Sequence, residues 1–461
     1  MLNPTTLKYK KLYLGLGFFL LVIAQKVHTD DQSVSLKDEF IALLTNPEEQ
    51  PFKNALVNIE KHWDNSQVAM AIETYQYTES DKARALLGKL LSQSIDTRRA
   101  RNFNDFYFKL WNEDIEPSAD YADFKAALYK NIDPRFEKYF LNQQSTARIR
   151  LDEIRWGGVQ QDGIPPLRNP KMIAAEDADY LEDDNIVFGI SINGDARAYP
   201  KRILAWHEMF TDTIGGVPIA GVYCTLCGTV IPYRTEVDGK IYQLGTSGFL
   251  YRSNKLMYDQ ETHSLWSTER GEPVLGPLAR QGLNLSYESV VTTTWAEWKK
   301  RNPTTTVLSI NTGHERDYGE GVAYSDYFSN DTLMFNTPFK DRRLKNKQEV
   351  LALRFFGAPN DQMAIDTKFL KKTPLYKNQI GNQKFIVITD KTGANRVYDP
   401  KNVEFVEYDG DLSLIDSDGI KWAVSEERLE DNQGNSLERL PYHRAFWFGW
   451  HAAYPETKLI K

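Results

Sequence analysis

From residue 33 to about residue 150, apolar side chains recur three and four positions apart. The stretches SLKDEFIALL, NALVNIEKHW, DKARALLGKLLSQSI and YADFKAALYKNI all show it. That spacing lines one face of an α-helix. Asp81 and Asp120 stand where N-caps are expected, and Pro134 where a helix should break. The stretch holds almost no Gly and shows no fixed repeat period. The pattern predicts an α-helical domain over residues 33–150.

After Arg150 the pattern changes. RWGGVQQDGIPPLRNP is dense in Gly and Pro and reads as a junction. Beyond it, short β-branched and aromatic runs alternate with turn residues, as in NIVFGISINGDARAYP, VPIAGVYC, TVIPYRTEVDGKIYQLG and QKFIVITDKTGANRVY. The Asn193-Gly194 and Asp238-Gly239 pairs are hairpin signals. TTTWAEWKKRNP is the clearest helical piece. The expected fold is α+β: a helical N-terminal domain, then a large β-rich domain over residues 151–461.

The first residues change where the chain is expected to work. Lys8, Lys10 and Lys11 precede an unbroken apolar run, Leu12 to Ala24. The run is short for a membrane span and of the length of a secretory h-region. Residues 1–25 are therefore read as a signal peptide ending near Gln25, or as an uncleaved N-terminal anchor. Either places the rest outside the cytoplasm, in the periplasm or at the outer surface, with no membrane contact beyond that anchor. The net charge of −7 carries no basic footprint, so no nucleic-acid partner is expected.

In an oxidising compartment the two cysteines of the chain are too few for a disulfide scaffold. Both lie in GVYCTLCGTVIPYR, as a C-x-x-C-G knuckle formed by Cys224, Cys227 and Gly228. A thioredoxin-like site would place such a pair at a helix N-terminus. Here the following Thr-Val-Ile-Pro-Tyr reads as a strand. A c-type haem site needs His after the second Cys and meets Gly228. A metal knuckle suits the pattern, because Gly can close a turn that aims both sulfurs at one ion. Among seven histidines, His207 in ILAWHEMF and His443 in the aromatic C-terminal segment are the candidate partners. Cys224, Cys227, His207 and His443 would make an S2N2 set for one zinc or copper ion.

Five ordered motifs resemble one bacterial family. They are AYPKRILAWHEMFTDTIGGVPIAGVYCTLCGT, GTSGFLYRSNKLMYDQETHSLWS, GEPVLGPLA, TTTWAEWKKRNPTTTVLS and AFWFGWHAAYPET. The family is known only as domain of unknown function 3179, and the resemblance runs from about Ile154 to Ile460. It implies a shared site near His207, Cys224 and Cys227, and matches the aromatic ending at Phe446, Trp447, Phe448 and Trp450. Thr225 stands where the family has Pro. The resemblance brings no activity with it.

The second motif also groups Arg252, Asn254, Tyr258 and Asp259 as a candidate polar pocket, which internal hydrogen bonds of a hairpin explain equally well. Glu269 and Glu272 in WSTERGEP offer a carboxylate pair of the glycosidase type, or charges on a turn. The functional expectation is an exported protein binding one transition-metal ion, in a redox, hydrolytic or structural role. Two rivals stand beside it. One is a binding module for a glycan, peptide or other small molecule, with a local Cys224–Cys227 disulfide. The other is a thiol–disulfide exchange enzyme.

Overall fold

The computed structural model describes residues 35–98, 100, 103–335, 337–358 and 360–461. The expected leader over residues 1–25 lies outside them. Among the described residues no helix is long and apolar enough to cross a membrane.

Helices Lys37–Ala42, Gln50–Lys61, Val68–Tyr77, Asp81–Ser94, Phe103–Asn112 and Tyr121–Tyr129 follow the apolar spacing of the first region. Ser80, not Asp81, caps its helix, its hydroxyl accepting from the Ala83 amide at 3.4 Å. Asp81 supplies a carboxylate in the first turn instead, where the helix dipole favours it. Asp120 occupies the expected N-cap position. Pro134 opens a short 3-10 turn, with the Asp133 side chain accepting from the Arg135 amide. Helix Val68–Tyr77 is enclosed on nearly all sides. Its Glu73 pairs with Lys125, both fully buried, and accepts from the Tyr129 hydroxyl at 3.2 Å. Burial pushes the Lys125 ammonium down despite that partner.

These helices share one core with the first sheet of the β-rich region. That sheet is antiparallel, in the order Ile154–Trp156, Leu244–Tyr251, Asn254–Asp259, Leu265–Ser267, Pro273–Leu275. Phe249 sits at the junction, 4.8 Å from the Phe136 ring, 5.0 Å from Tyr129 and 5.2 Å from Phe140. Tyr251, Leu256 and Tyr258 extend the same core.

A second sheet runs Leu167–Arg168, Met209–Ile214, Val217–Cys224, Thr229–Arg234. A third contains the hairpin Ile186–Ile192/Asp195–Pro200. Asn193 and Gly194 form its two-residue turn with φ of 53° and 82°, as the sequence predicts. A fourth, in the order His443–Phe446, Glu349–Arg354, Gln362–Asp366, Lys458–Ile460, brings the chain's end back beside its middle. Thr294 caps helix Trp295–Arg301 by accepting from the Glu297 amide at 3.4 Å.

The strands between Leu375 and Glu438 form a three-stranded and a five-stranded sheet. Their turns reuse one device, an Asp that accepts from the amides two and four residues on. Asp390, Asp416 and Asp431 each do so, at 2.8–3.0 Å. Between these sheets Arg396 is fully buried and pairs with Asp390 at 2.8 Å and with Glu426 at 2.7 Å. Arg439 reaches Glu426 at 2.7 Å from the other side.

Burial works against the Glu426 carboxylate, but the Arg396 and Arg439 guanidiniums outweigh it and hold its pKa at about 2. A carboxyl depressed on folding stabilises the fold above its unfolded pKa and loses that contribution as pH falls. Here the loss runs from the ordinary value of 4.5 down to about 2. Glu426→Gln leaves two buried guanidiniums short of a partner, which costs about 3–5 kcal/mol at neutral pH. Denaturant unfolding followed by tryptophan fluorescence is expected to show that loss at pH 7 and a narrowing gap as the pH approaches 2. Equal midpoints at pH 7 would contradict it.

Candidate functional site

Strand Val217–Cys224 ends on the first cysteine, and strand Thr229–Arg234 starts just after Gly228. The two cysteines are joined as a disulfide closing the tip of this hairpin. Gly228 has φ 60°, and a Cβ there would stand 2.8 Å from the Phe446 ring, so this position requires Gly. The loop is fixed by hydrogen bonds along its length. The Cys227 amide donates to the Cys224 carbonyl at 3.1 Å and the Phe446 amide to the Cys227 carbonyl at 2.7 Å. The Tyr327 hydroxyl donates to the Leu226 carbonyl at 2.7 Å. Thr225 donates to Glu208 Oε1 at 2.6 Å, a use for its hydroxyl that Pro could not serve.

Glu208 organises the surroundings. It follows helix Lys201–His207 in the left-handed conformation, φ 56°, uncommon for a side chain of this size. That turn aims its carboxylate back at the cysteine loop. Oε1 also accepts from the Tyr324 hydroxyl at 2.9 Å. Lys255 lies 3.3 Å from Oε2 and donates to the Glu208 carbonyl at 2.8 Å. Burial pushes the Lys255 ammonium down, and Glu208 opposes that shift. Glu208, Lys255, Tyr324, Cys224 and Thr225 border a cavity of about 70 Å3, narrowed by Leu250 and Phe335.

Sequence reasoning missed Glu208, Lys255 and Tyr324. The sequence signal for Lys255 was partial: it is the one cation in NKLMYD, and only the structure shows every residue of that strand buried. A lysine in that setting needs a partner.

The four expected metal ligands are not assembled. Both sulfurs are engaged with one another. His207 is buried beneath the helix it ends, with Nδ1 2.8 Å from the Pro165 carbonyl and Nε2 2.5 Å from the Tyr318 hydroxyl. The carbonyl requires a proton on Nδ1, so Nε2 accepts from the tyrosine, and neither nitrogen is left for an ion. His443 faces Glu269 instead, its Nε2 3.6 Å from the carboxylate. Burial pushes its pKa down against that carboxylate. Among the described residues no group of three or more His, Cys, Asp or Glu is placed to hold a metal ion. The donor set does not fit zinc or copper.

The four polar residues of the second motif are employed separately. Arg252 pairs with Glu153 and lies 4.8 Å over the Phe339 ring. Asn254 donates to the Gly449 carbonyl at 3.1 Å. The Tyr258 hydroxyl donates to Asp162 at 2.6 Å. Asp259 accepts from the Thr262 amide at 2.7 Å and from the Trp266 indole at 3.2 Å. Strand alternation separates them, because Asn254 and Tyr258 share one face and Asp259 the other.

Burial pushes the His207 imidazole down to about 4, and nearby His314 and Arg316 add to the shift. Unfolded, it protonates near 6.5. Its contribution to stability is therefore complete above about pH 6.5 and falls as the pH drops towards 4. Nitrogen-15 shifts of the ring are expected to report a neutral Nδ1–H imidazole at about pH 5.5, where an ordinary histidine is mostly charged. Titration near 6.5 would contradict the assignment.

No curated protein and no solved structure matches the chain. The profile of a family described as "Protein of unknown function (DUF3179)" matches residues 161–457, a span containing His207, Glu208, the cysteine loop, Lys255 and His443. The chain belongs to that family.

Proposed function

We propose that this chain is an extracytoplasmic redox protein whose reactive group is the Cys224–Cys227 disulfide, opened and reformed by exchange with a small thiol. The observation that carries the reading is the shared cavity. Cys224 borders the same narrow space as the Lys255 ammonium, whereas fully buried Cys227 does not. A cation lining that space favours Cys224 as a thiolate, the form in which it leaves the mixed disulfide and in which it attacks a small disulfide in the reverse direction.

The disulfide has little structural work. It closes only the four residues Cys224 to Cys227. Loop-closure entropy for a ring that short contributes about 2 kcal/mol. The bonds from Thr225, Tyr327 and Phe446 hold the loop already.

In the proposed exchange a thiolate enters the cavity and attacks Cys224 Sγ. The S–S bond breaks and Cys227 leaves as a thiolate, which takes up a proton. Its sulfur lies 3.5 Å from the Ser253 carbonyl, an acceptor for the new S–H. A second thiol then displaces Cys224 from the mixed disulfide. The sum is one protein disulfide plus two thiols giving one protein dithiol plus one small disulfide. The narrowness of the cavity admits the thiol end of a small molecule rather than a protein loop.

Two variants test this. Cys227→Ser leaves Cys224 without its partner, and incubation with oxidised glutathione is expected to yield a stable mixed disulfide, read as one added glutathione by intact mass. Replacing the buried pair together, as Lys255→Met with Glu208→Gln, avoids a lone buried charge. In the Cys227→Ser chain it is expected to slow that glutathionylation, in which the Cys224 thiolate attacks, about threefold, the net effect of raising the Cys224 thiol pKa by about one unit. A disulfide that small thiols reduce only after the protein is unfolded would contradict the proposal.

A further inference from the structure

Apart from the cysteine cavity, a cleft of about 620 Å3 opens beside the end of strand Glu349–Arg354. That volume lies in the range of small-molecule sites, about 300–1,000 Å3. Its walls carry Arg148, Arg270, Arg354, Phe356 and Tyr454, with Asn284 and Asn360 among the polar groups. Glu272 and Glu456 are the carboxylates of the lining. Arg148 and Arg270 share Glu272, at 3.0 and 3.5 Å.

Arg354 sets this cleft apart. It is only 9% exposed, yet among the described residues no carboxylate lies within ion-pair distance of it. Its Nη2 donates to the Tyr233 hydroxyl at 3.1 Å, its guanidinium lies 4.4 Å over the Tyr287 ring, and its Nε has no hydrogen-bond partner. The comparably buried guanidiniums behave otherwise. Arg396, Arg439 and Arg301 each hold a carboxylate at 2.6–2.7 Å. Glu269 acts on the Arg354 guanidinium only from a distance, and a buried arginine with no carboxylate in contact, at the wall of a cleft, is placed to receive an anion. The nearby Glu269 carboxylate stands beside His443 instead, and neither of its oxygens has a hydrogen-bond partner.

The rest of the lining narrows the class of anion. Phe356 is 51% exposed at the cleft, an aromatic face open for stacking. Amides and guanidiniums beside an open ring suit hydroxyl-rich rings that carry a carboxylate, which arginine binds through two parallel hydrogen bonds. An extended peptide has no edge to join, since strand Glu349–Arg354 is paired on both sides. We propose that this cleft binds an acidic saccharide, its carboxylate on Arg354 and a sugar face on Phe356. The inference is independent of the redox proposal, because none of its residues borders the cysteine cavity.

Isothermal titration of the full chain tests it, with a galacturonic acid trisaccharide, the neutral galactose trisaccharide and inorganic phosphate as probes. The acidic saccharide is expected to bind, more weakly as salt is added, and the neutral one at least about tenfold less tightly. Arg354→Met is expected to abolish binding. Phe356→Ala, a change at an exposed position, is expected to weaken it about tenfold while leaving the circular dichroism spectrum unchanged. Absence of binding by the acidic saccharide, equal binding of the neutral one, or phosphate binding as tightly would each overturn the proposal. If Arg354→Met fails to fold, Phe356→Ala decides alone, and an unchanged affinity in it overturns the assignment.

Discussion

The hairpin Leu244–Tyr251/Asn254–Asp259 carries two unlike chemistries on its two faces, and both depend on its register. Phe249, Tyr251, Leu256 and Tyr258 enter the core shared with the helices. Leu250 and Lys255, paired across the strands, look the other way onto the cysteine loop. A slip of one residue would exchange the faces. It would bury Lys255 among aromatic rings and set Leu256 before Glu208. The register is pinned by the two-residue turn Arg252-Ser253, both at positive φ, 50° and 66°. Side chains of that kind strain such a turn by about 1–3 kcal/mol each. The ion pair of Arg252 with buried Glu153 offsets part of that cost.

The cysteine loop inherits its geometry from this hairpin and from Glu208. One carboxylate, set by a left-handed backbone turn, accepts from Thr225 and Tyr324 and faces Lys255. Three separate parts of the chain are thereby tied to the loop between the cysteines. The polar groups of the site are satisfied by one another, and the disulfide closes a loop that hydrogen bonds also fix. The arginine cleft follows the opposite logic, with a buried guanidinium left short of partners where the wall meets solvent.

Local order was readable in the sequence, because local chemistry decides it. Apolar spacing placed the helices of the first region, and Asn193-Gly194 placed its hairpin. The C-x-x-C-G pattern placed a turn between strands, as the structure has it. What two cysteines at that spacing do with each other is set by partners far away in the chain, and there the metal expectation failed. His207 is 17 residues from Cys224 in sequence, but Pro165 and Tyr318 claim its two nitrogens. The pocket expected from Arg252, Asn254, Tyr258 and Asp259 overlooked strand alternation, and it passed over the one member of that strand, Lys255, that reaches the cavity. Arg354 carries no local signal at all, since its isolation is a property of the folded surroundings.

Hydrogen bonds from Thr225, Tyr327 and Phe446, and not the disulfide, hold the cysteine loop in place. Amide hydrogen exchange read by mass spectrometry, on the folded protein with the pair oxidised and then reduced, tests it most directly. The account predicts that peptides spanning residues 221–232 and 250–258 keep their protection after reduction, with faster exchange confined to the amides between the two cysteines. Loss of protection throughout both segments on reduction would show that the disulfide is the support of the site, and would contradict the account.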